Sequence, residues 1–401
     1  MTRIKAKYLL IIFLQLGIFS CTKPKSLVTI SIVEQNGLER NLEYVHADIP
    51  LAYVLKPTEN LVVVDSRNVS IPVQITDTIK NGNAPIVRIV FPVTINANET
   101  KKYHLEAQEK IVDSSANYLH LSETAHFVEN EHYTAHFGTR KDKRGGPVLN
   151  LILKGFNNQL LHRRHSVPIH WAPNFSKIDS EHYYTMESLS LSSKNSTGGN
   201  GPYTITKTLS GVTDSVPEIH VEGKYTFFAG LPYFEFASTM TAKQDVELDL
   251  LRNDEMTMDS LFTHIVFAKR DNSIINLDLY NQELDVLEKE HMSDQAPWLA
   301  FYHRDKGYGF GSIRLEYDNT NVHGGASPLY KPYTKISKGA GNGRYWNRIL
   351  IADANVLVPK GSRYYEKNAY LIFSVDSERA EDQAIYYSER LNHPLVVNVD
   401  K

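Results

Sequence analysis

A chain of 401 residues that sets 43 Lys and Arg against 46 Asp and Glu carries a formal net charge of -3. Its pI is about 6.6, and acids and bases are interspersed with no basic tract. That balance, with no basic tract or stripe, argues against an extended nucleic-acid-binding or heparin-binding surface.

The N-terminus has the layout of an export signal. Arg3, Lys5 and Lys7 precede an apolar run from Tyr8 to Phe19, and Ser20 and Cys21 follow. Gln15 and Gly17 interrupt the run, which is also too short to span a bilayer. Cys21 is the one cysteine of the chain, so an exported protein of this sequence must rely on core burial without disulfides. Ile18-Phe19-Ser20-Cys21 resembles the lipobox of bacterial lipoproteins. That resemblance implies removal of residues 1–21, acylation of Cys21, a short tether over 22–26 and attachment of an exported protein to a lipid bilayer.

From Leu27 onward the pattern is period two. Val28, Ile30 and Ile32 share one face, and Ile71, Val73 and Ile75 another. Turn signals at Asn36-Gly37, Asn81-Gly82-Asn83 and Asn96 to Glu99 punctuate these strands as in antiparallel hairpins. Residues 27–110 read as a β lobe without chemistry, with His46 and His104 isolated and structural, and residues 111–401 as the part that bears the site. His132 to Phe137 and Val148 to Leu153 form a predicted hairpin. His132 and His136 share a face there, but no further ligand follows at a diagnostic spacing, so no metal or other cofactor is expected.

The stretch Arg163 to Thr185 breaks the alternation and crowds His165, His170, Trp171, His182, Tyr183 and Tyr184 together. A sugar pocket needs flat rings for stacking and imidazole or phenol for proton transfer, which makes this the expected active-site loop. The bland alternative is a surface crossover with half-buried rings. Ser190 to Pro202 is a glycine-rich loop suited to a lid. Strands resume over Tyr225 to Phe228, Tyr233 to Met240 and Val246 to Leu250. At the exit of the last, Arg252 and Asn253 are placed to bind a carboxylate, unless Arg252 merely pairs with Asp254 or Glu255.

His264 lies in a strand between apolar neighbours and is the weaker catalytic candidate. A short helix is expected within Asp278 to His291. His303, His323 on a glycine-flanked loop, and Tyr345 with Arg348 after Gly339 to Gly343 are candidate sugar contacts. Ala380, Ala384, Tyr387 and Leu391 recur at helical spacing, and Leu395 to Val399 closes the chain as a strand. Consecutive strands with almost no helical period between them argue for an all-β fold of large antiparallel sandwich type with few short helices.

The leader, the segments IPVQITD, PVLNLILK and LLRNDE, and the ending PKGSRYYEKNAYLIF together resemble exported ulvan oligosaccharide dehydratases and polysaccharide-lyase-like lipoproteins of Bacteroidetes-type bacteria. The resemblance implies a galactose-mutarotase-like supersandwich over 27–401. It also implies a carbon-oxygen lyase that eliminates water from a non-reducing-end glucuronate or iduronate of an acidic oligosaccharide, with or without sulfate, to leave a 4,5-unsaturated uronyl group. Elimination of a glycosidic oxygen, hydrolysis on the same scaffold, and glycan binding without catalysis are the alternatives. For elimination the C5 proton must be acidified by a carboxylate clamp, a base must take it, and an acid must assist the departing oxygen. Arg252 with Asn253, or Arg348, would be the clamp, His170 the base and Tyr184 the acid, with Trp171, His303, His323 and Tyr345 holding the sugar.

Overall fold

The computed structural model describes residues 26–51, 60–79, 85–108, 119–138, 147–163, 168–178, 182–187, 190–194, 200–213, 216–281, 292–339, 342–375 and 379–400. Among these residues the strands are antiparallel and fall into two parts. The N-terminal lobe is a sandwich. One of its sheets runs in the order Val396–Asp400, Ser26–Val33, Thr100–Gln108, Asn60–Val64, Ser70–Pro72, and the other comprises Arg40–Pro50, Ile86–Ile95 and Gln74–Ile79. Ile30, Ile32, Val45, Ala47, Ile49, Val63, Ile89 and Phe91 fill the space between them. The last strand of the chain thus pairs with the first described one, Ile30 opposite Val399.

The larger part is built on a nine-stranded sheet. Its order is Ser190–Lys194, Thr204–Thr213, Val216–Phe228, Tyr233–Ala242, Arg363–Ser374, Tyr308–Asp318, Trp298–His303, His264–Ala268, Ile274–Asp278. Its inner face packs on two further sheets. One is seven-stranded and carries Asn174–Lys177, Val246–Met258 and Arg344–Ile351, and the other contains the expected hairpin, Tyr133–Phe137 against Val148–Leu153. A single apolar cluster runs through all three, with Tyr133, Phe175, Phe227, Phe234, Phe310 and Trp346 among its largest members. The all-β antiparallel sandwich expected from the alternation is what forms. The helix Asp382–Asn392 lies on the opposite face of the nine-stranded sheet and buries Ala384 there. The expected helix within Asp278 to His291 falls mostly on residues 282–291, outside those described.

A polar seam crosses the core. The strand Val246–Met258 does not end at Leu250 but continues through a bulge between Asn253 and Met256, where Asp254 takes a φ of 45°. The bulge turns the Asp254 carboxylate inward. Its Oδ1 accepts from Ser312 Oγ at 2.9 Å, Trp346 Nε1 at 3.1 Å and Tyr370 OH at 3.2 Å, and Arg314 Nε lies 3.6 Å from Oδ2. Beside it Arg348 pairs with Glu366 at 2.9 Å and Asp294 at 3.1 Å. Burial raises the Glu366 pKa and the Arg348 guanidinium opposes that shift.

Two polar clamps dock the lobe on the outer face of the nine-stranded sheet. Gln74 donates to the Thr204 carbonyl at 2.8 Å and to Thr204 Oγ1 at 3.0 Å, while its Oε1 accepts from the N–H groups of Tyr203 and Thr204 at 2.9 Å each. On the other side Glu43 accepts from Arg40 at 3.1 Å and from Arg390 at 2.8 Å, and Arg40 also donates to the carbonyls of Arg390 and His393. The Gln74 clamp reverses the expected parity of its strand: Gln74 is buried and Ile75 is 38% exposed, because four hydrogen bonds outweigh one methyl-rich side chain left on the surface. Gln74→Ala is expected to lower stability by about 1–3 kcal/mol, since it strands two buried N–H groups. A urea titration monitored by tryptophan emission measures it.

Candidate functional site

The outer face of the nine-stranded sheet is polar where the lobe overhangs it. Tyr225, Phe227, Phe234 and Phe236 turn into the inner core, so the alternating residues Lys224, Thr226, Glu235 and Ala237 point the other way. Pairing aligns Thr208, Lys224, Ala237 and Lys367 in one row, and Thr206, Thr226 and Glu235 in the next. Facing them, Val45, Ala47 and Ile49 enter the lobe's own core, which sends His46 and Asp48 outward. The two faces enclose a cleft of about 1030 Å³ whose lining includes His46, Arg88, Lys224, Glu235, Glu316 and Lys367.

Within the cleft most charges are paired. Lys367 Nζ lies 2.8 Å from Glu235, and Arg88 holds Asp48 through two nitrogens at 2.7 and 3.0 Å. Lys224 makes no hydrogen bond or ion pair among the described residues. It stands two strands from Lys367, roughly 10 Å along the sheet, with only the methyl of Ala237 between. That spacing leaves a recess into which an anionic group fits. His46 opens onto it. Desolvation by the surrounding protein lowers its pKa from 6.5; Glu235 opposes the shift, and Lys367, Arg88 and Lys224 reinforce it. The imidazole is therefore neutral at neutral pH, able to accept a proton.

None of the residues expected from the sequence lines this cleft. The structure separates His170, Tyr184 and Arg252 instead of gathering them. His170 is 0% exposed, 2.5 Å from the Tyr225 hydroxyl through Nδ1 and boxed by Phe236 and Tyr370, so no substrate reaches it. Tyr184 is buried and stacked on Phe175. Asn253 shares a buried hydrogen bond with Ser238, and Arg348 is committed to Glu366 and Asp294, so neither clamps a ligand. His264 stacks on Tyr302 at 5.1 Å and sits with His303 at one end of the nine-stranded sheet, on strands that pair directly. Burial lowers the pKa of both. His323 is exposed on the loop 319–327, and Tyr345 is half-buried opposite Thr257 and Ser337.

Trp171 and Arg252 are brought together, through Tyr183: the guanidinium lies 4.8 Å from the phenol ring and the indole 6.4 Å from it. Cys21, His165 and the middle of the expected lid, 195–199, fall outside the described residues. His46 lines the cleft although a lone strand histidine looks structural in the sequence. Lys224, Glu235 and Lys367 also line it, and alternation alone does not tell a roofed polar face from an open one.

The position of His170 has a consequence for stability. Burial pushes its pKa down to about 3. The unfolded chain binds that proton near 6.5 and the folded chain does not, so stability is complete above 6.5 and falls as pH drops toward 3. The expected slope is about 1.4 kcal/mol per pH unit in that window. Comparing urea midpoints of the wild type and His170→Phe across it measures the effect, and the slope should flatten in the variant.

No family model matches the chain, and no curated protein matches its sequence. Solved structures do share its fold. A protein in the glycosyl hydrolase family 38 from Enterococcus faecalis superposes with a TM-score of 0.59 at 10% identity, over 94% of this chain and 48% of that one. An alpha-mannosidase from Enterococcus faecalis gives 0.58 at 11% identity, over 93% and 46%. The chain thus spans about half the length of these two. A galactose mutarotase-like protein from Lactobacillus casei gives 0.38 at 8% identity, covering 63% of this chain and 100% of that one. What the chain shares with the two Enterococcus faecalis proteins is the fold.

Proposed function

We propose that the protein is a carbon-oxygen lyase of uronic-acid-containing oligosaccharides of the ulvan type, working in the interlobe cleft and, through an acylated Cys21, from a membrane surface. The observation that carries this reading is a neutral His46 that shares a saccharide-sized cleft with Lys224, which has no partner among the described residues. Lys224, with Lys367 beside it, would neutralise the uronate carboxylate, which makes the C5 proton removable. His46 takes that proton, the C5–H electrons form the C4–C5 double bond, and the C4–O bond breaks. The departing oxygen regains a proton and leaves as water from a non-reducing end, or as a sugar hydroxyl if a glycosidic bond is cut. In glucuronate the C5 hydrogen and O4 share one ring face, so a single imidazole can accept the proton and deliver it.

The test is turnover of ulvan oligosaccharides followed by the ultraviolet absorbance of the new double bond. A rise in absorbance at constant chain length means dehydration, and a rise with shorter products means chain cleavage. His46→Ala should lower the rate by about 100-fold or more, the usual worth of a general base, and Lys224→Met should act in the same direction. Because the His46 pKa is lowered, the acid limb of the pH–rate profile should lie below 6.5. Wild-type rates in both variants exclude the cleft, and silence on every uronate glycan with binding retained leaves a glycan-binding protein.

A further inference from the structure

A second surface, on the outer face of the seven-stranded sheet, has the chemistry of a carboxylate receptor. The strand Asn174–Lys177 pairs with Val246–Met258 so that Asn174 stands opposite Arg252. Arg252 Nε donates to Asn174 Oδ1 at 3.0 Å and lies 3.4 Å from Glu255, which in turn accepts from Asn174 Nδ2 at 2.8 Å. The guanidinium plane is backed by the Tyr183 ring at 4.8 Å. Both polar contacts of the guanidinium use Nε. Neither terminal nitrogen of Arg252 makes a hydrogen bond with a described residue.

A guanidinium fixed through Nε and stacked on a ring has lost its freedom before any ligand arrives, and its two outer N–H groups form the planar fork that matches a carboxylate. The Tyr183 hydroxyl beside it is buried and without a hydrogen-bond partner. Trp171 extends the aromatic surface, with its indole N–H tied to the Pro168 carbonyl at 2.6 Å and Arg163 over its ring at 4.6 Å. A fork for a carboxylate next to two rings suited to a sugar face describes an acidic monosaccharide unit.

We infer that Arg252, Tyr183 and Trp171 form a second binding site for a uronate unit, separated from the interlobe cleft by the seven-stranded and nine-stranded sheets. It takes its ligand class from the lyase reading above, and the experiment keeps the two apart. Full-length protein is titrated calorimetrically with short ulvan oligosaccharides ending in glucuronate, and with the same oligosaccharides methyl-esterified at the carboxylate. The expected result is two sites on the wild type. Arg252→Lys, which keeps the charge and loses the fork, and Trp171→Ala each weaken one of them about tenfold or more, and esterification weakens it on unaltered protein. His46→Ala with Lys224→Met removes only the other site. If the lyase reading fails, the Arg252-dependent site persists without turnover. A single site insensitive to Arg252→Lys and Trp171→Ala, or equal affinity for the esterified ligand, overturns the inference.

Discussion

The docking of the N-terminal lobe on the nine-stranded sheet is the constraint from which the rest follows. A polar sheet face left in water would give ordinary lysines and glutamates, and an uncovered lobe strand an ordinary histidine. Roofed by a second polar face, the same residues lose part of their hydration, and the pKa of His46 moves accordingly. The roof is fixed by amide and guanidinium groups that are themselves buried: Gln74 on one side, and on the other Arg40 and Arg390, which meet at Glu43. These groups meet backbone as well as side chains, so a small rotation of the lobe would leave several donors unsatisfied at once. The cleft therefore has a set width, where two apolar faces would simply have closed.

The interior and the cleft use charge differently. Inside the sandwich Asp254, Arg314, Arg348, Glu366 and Asp294 meet one another, leaving little of their chemistry for a ligand. Their worth is in specifying how the sheets stack, because a buried carboxylate tolerates few alternative packings. At each of the two surfaces a cation is left over among the described residues: Lys224 without a partner there, and Arg252 with only Nε engaged.

The positions of many strands and the fold class were legible because alternation is written into those segments: Val28, Ile30 and Ile32 turn inward as read, and so do the apolar members of the long central strands. The helix at Asp382–Asn392 was legible from its apolar spacing. What alternation does not fix is phase at an irregularity. Trp171 points outward and His170 inward, Tyr183 outward and Tyr184 inward, so a shift of one residue separates a sugar contact from a core ring. The bulge at Asp254 has no separate signature in LLRNDE, and it directs Arg348 and Asn253 into the core. Nor does a sequence state which polar face another lobe will cover, which is why His46 looked isolated.

The strand Val396–Asp400 lies against Ser26–Val33, so the two ends of the described chain complete one sheet. Until Val396–Asp400 has been made, the Ser26–Val33 strand keeps an uncovered hydrogen-bonding edge. Completion of the lobe that roofs the cleft is thereby tied to a segment more than 350 residues away along the chain.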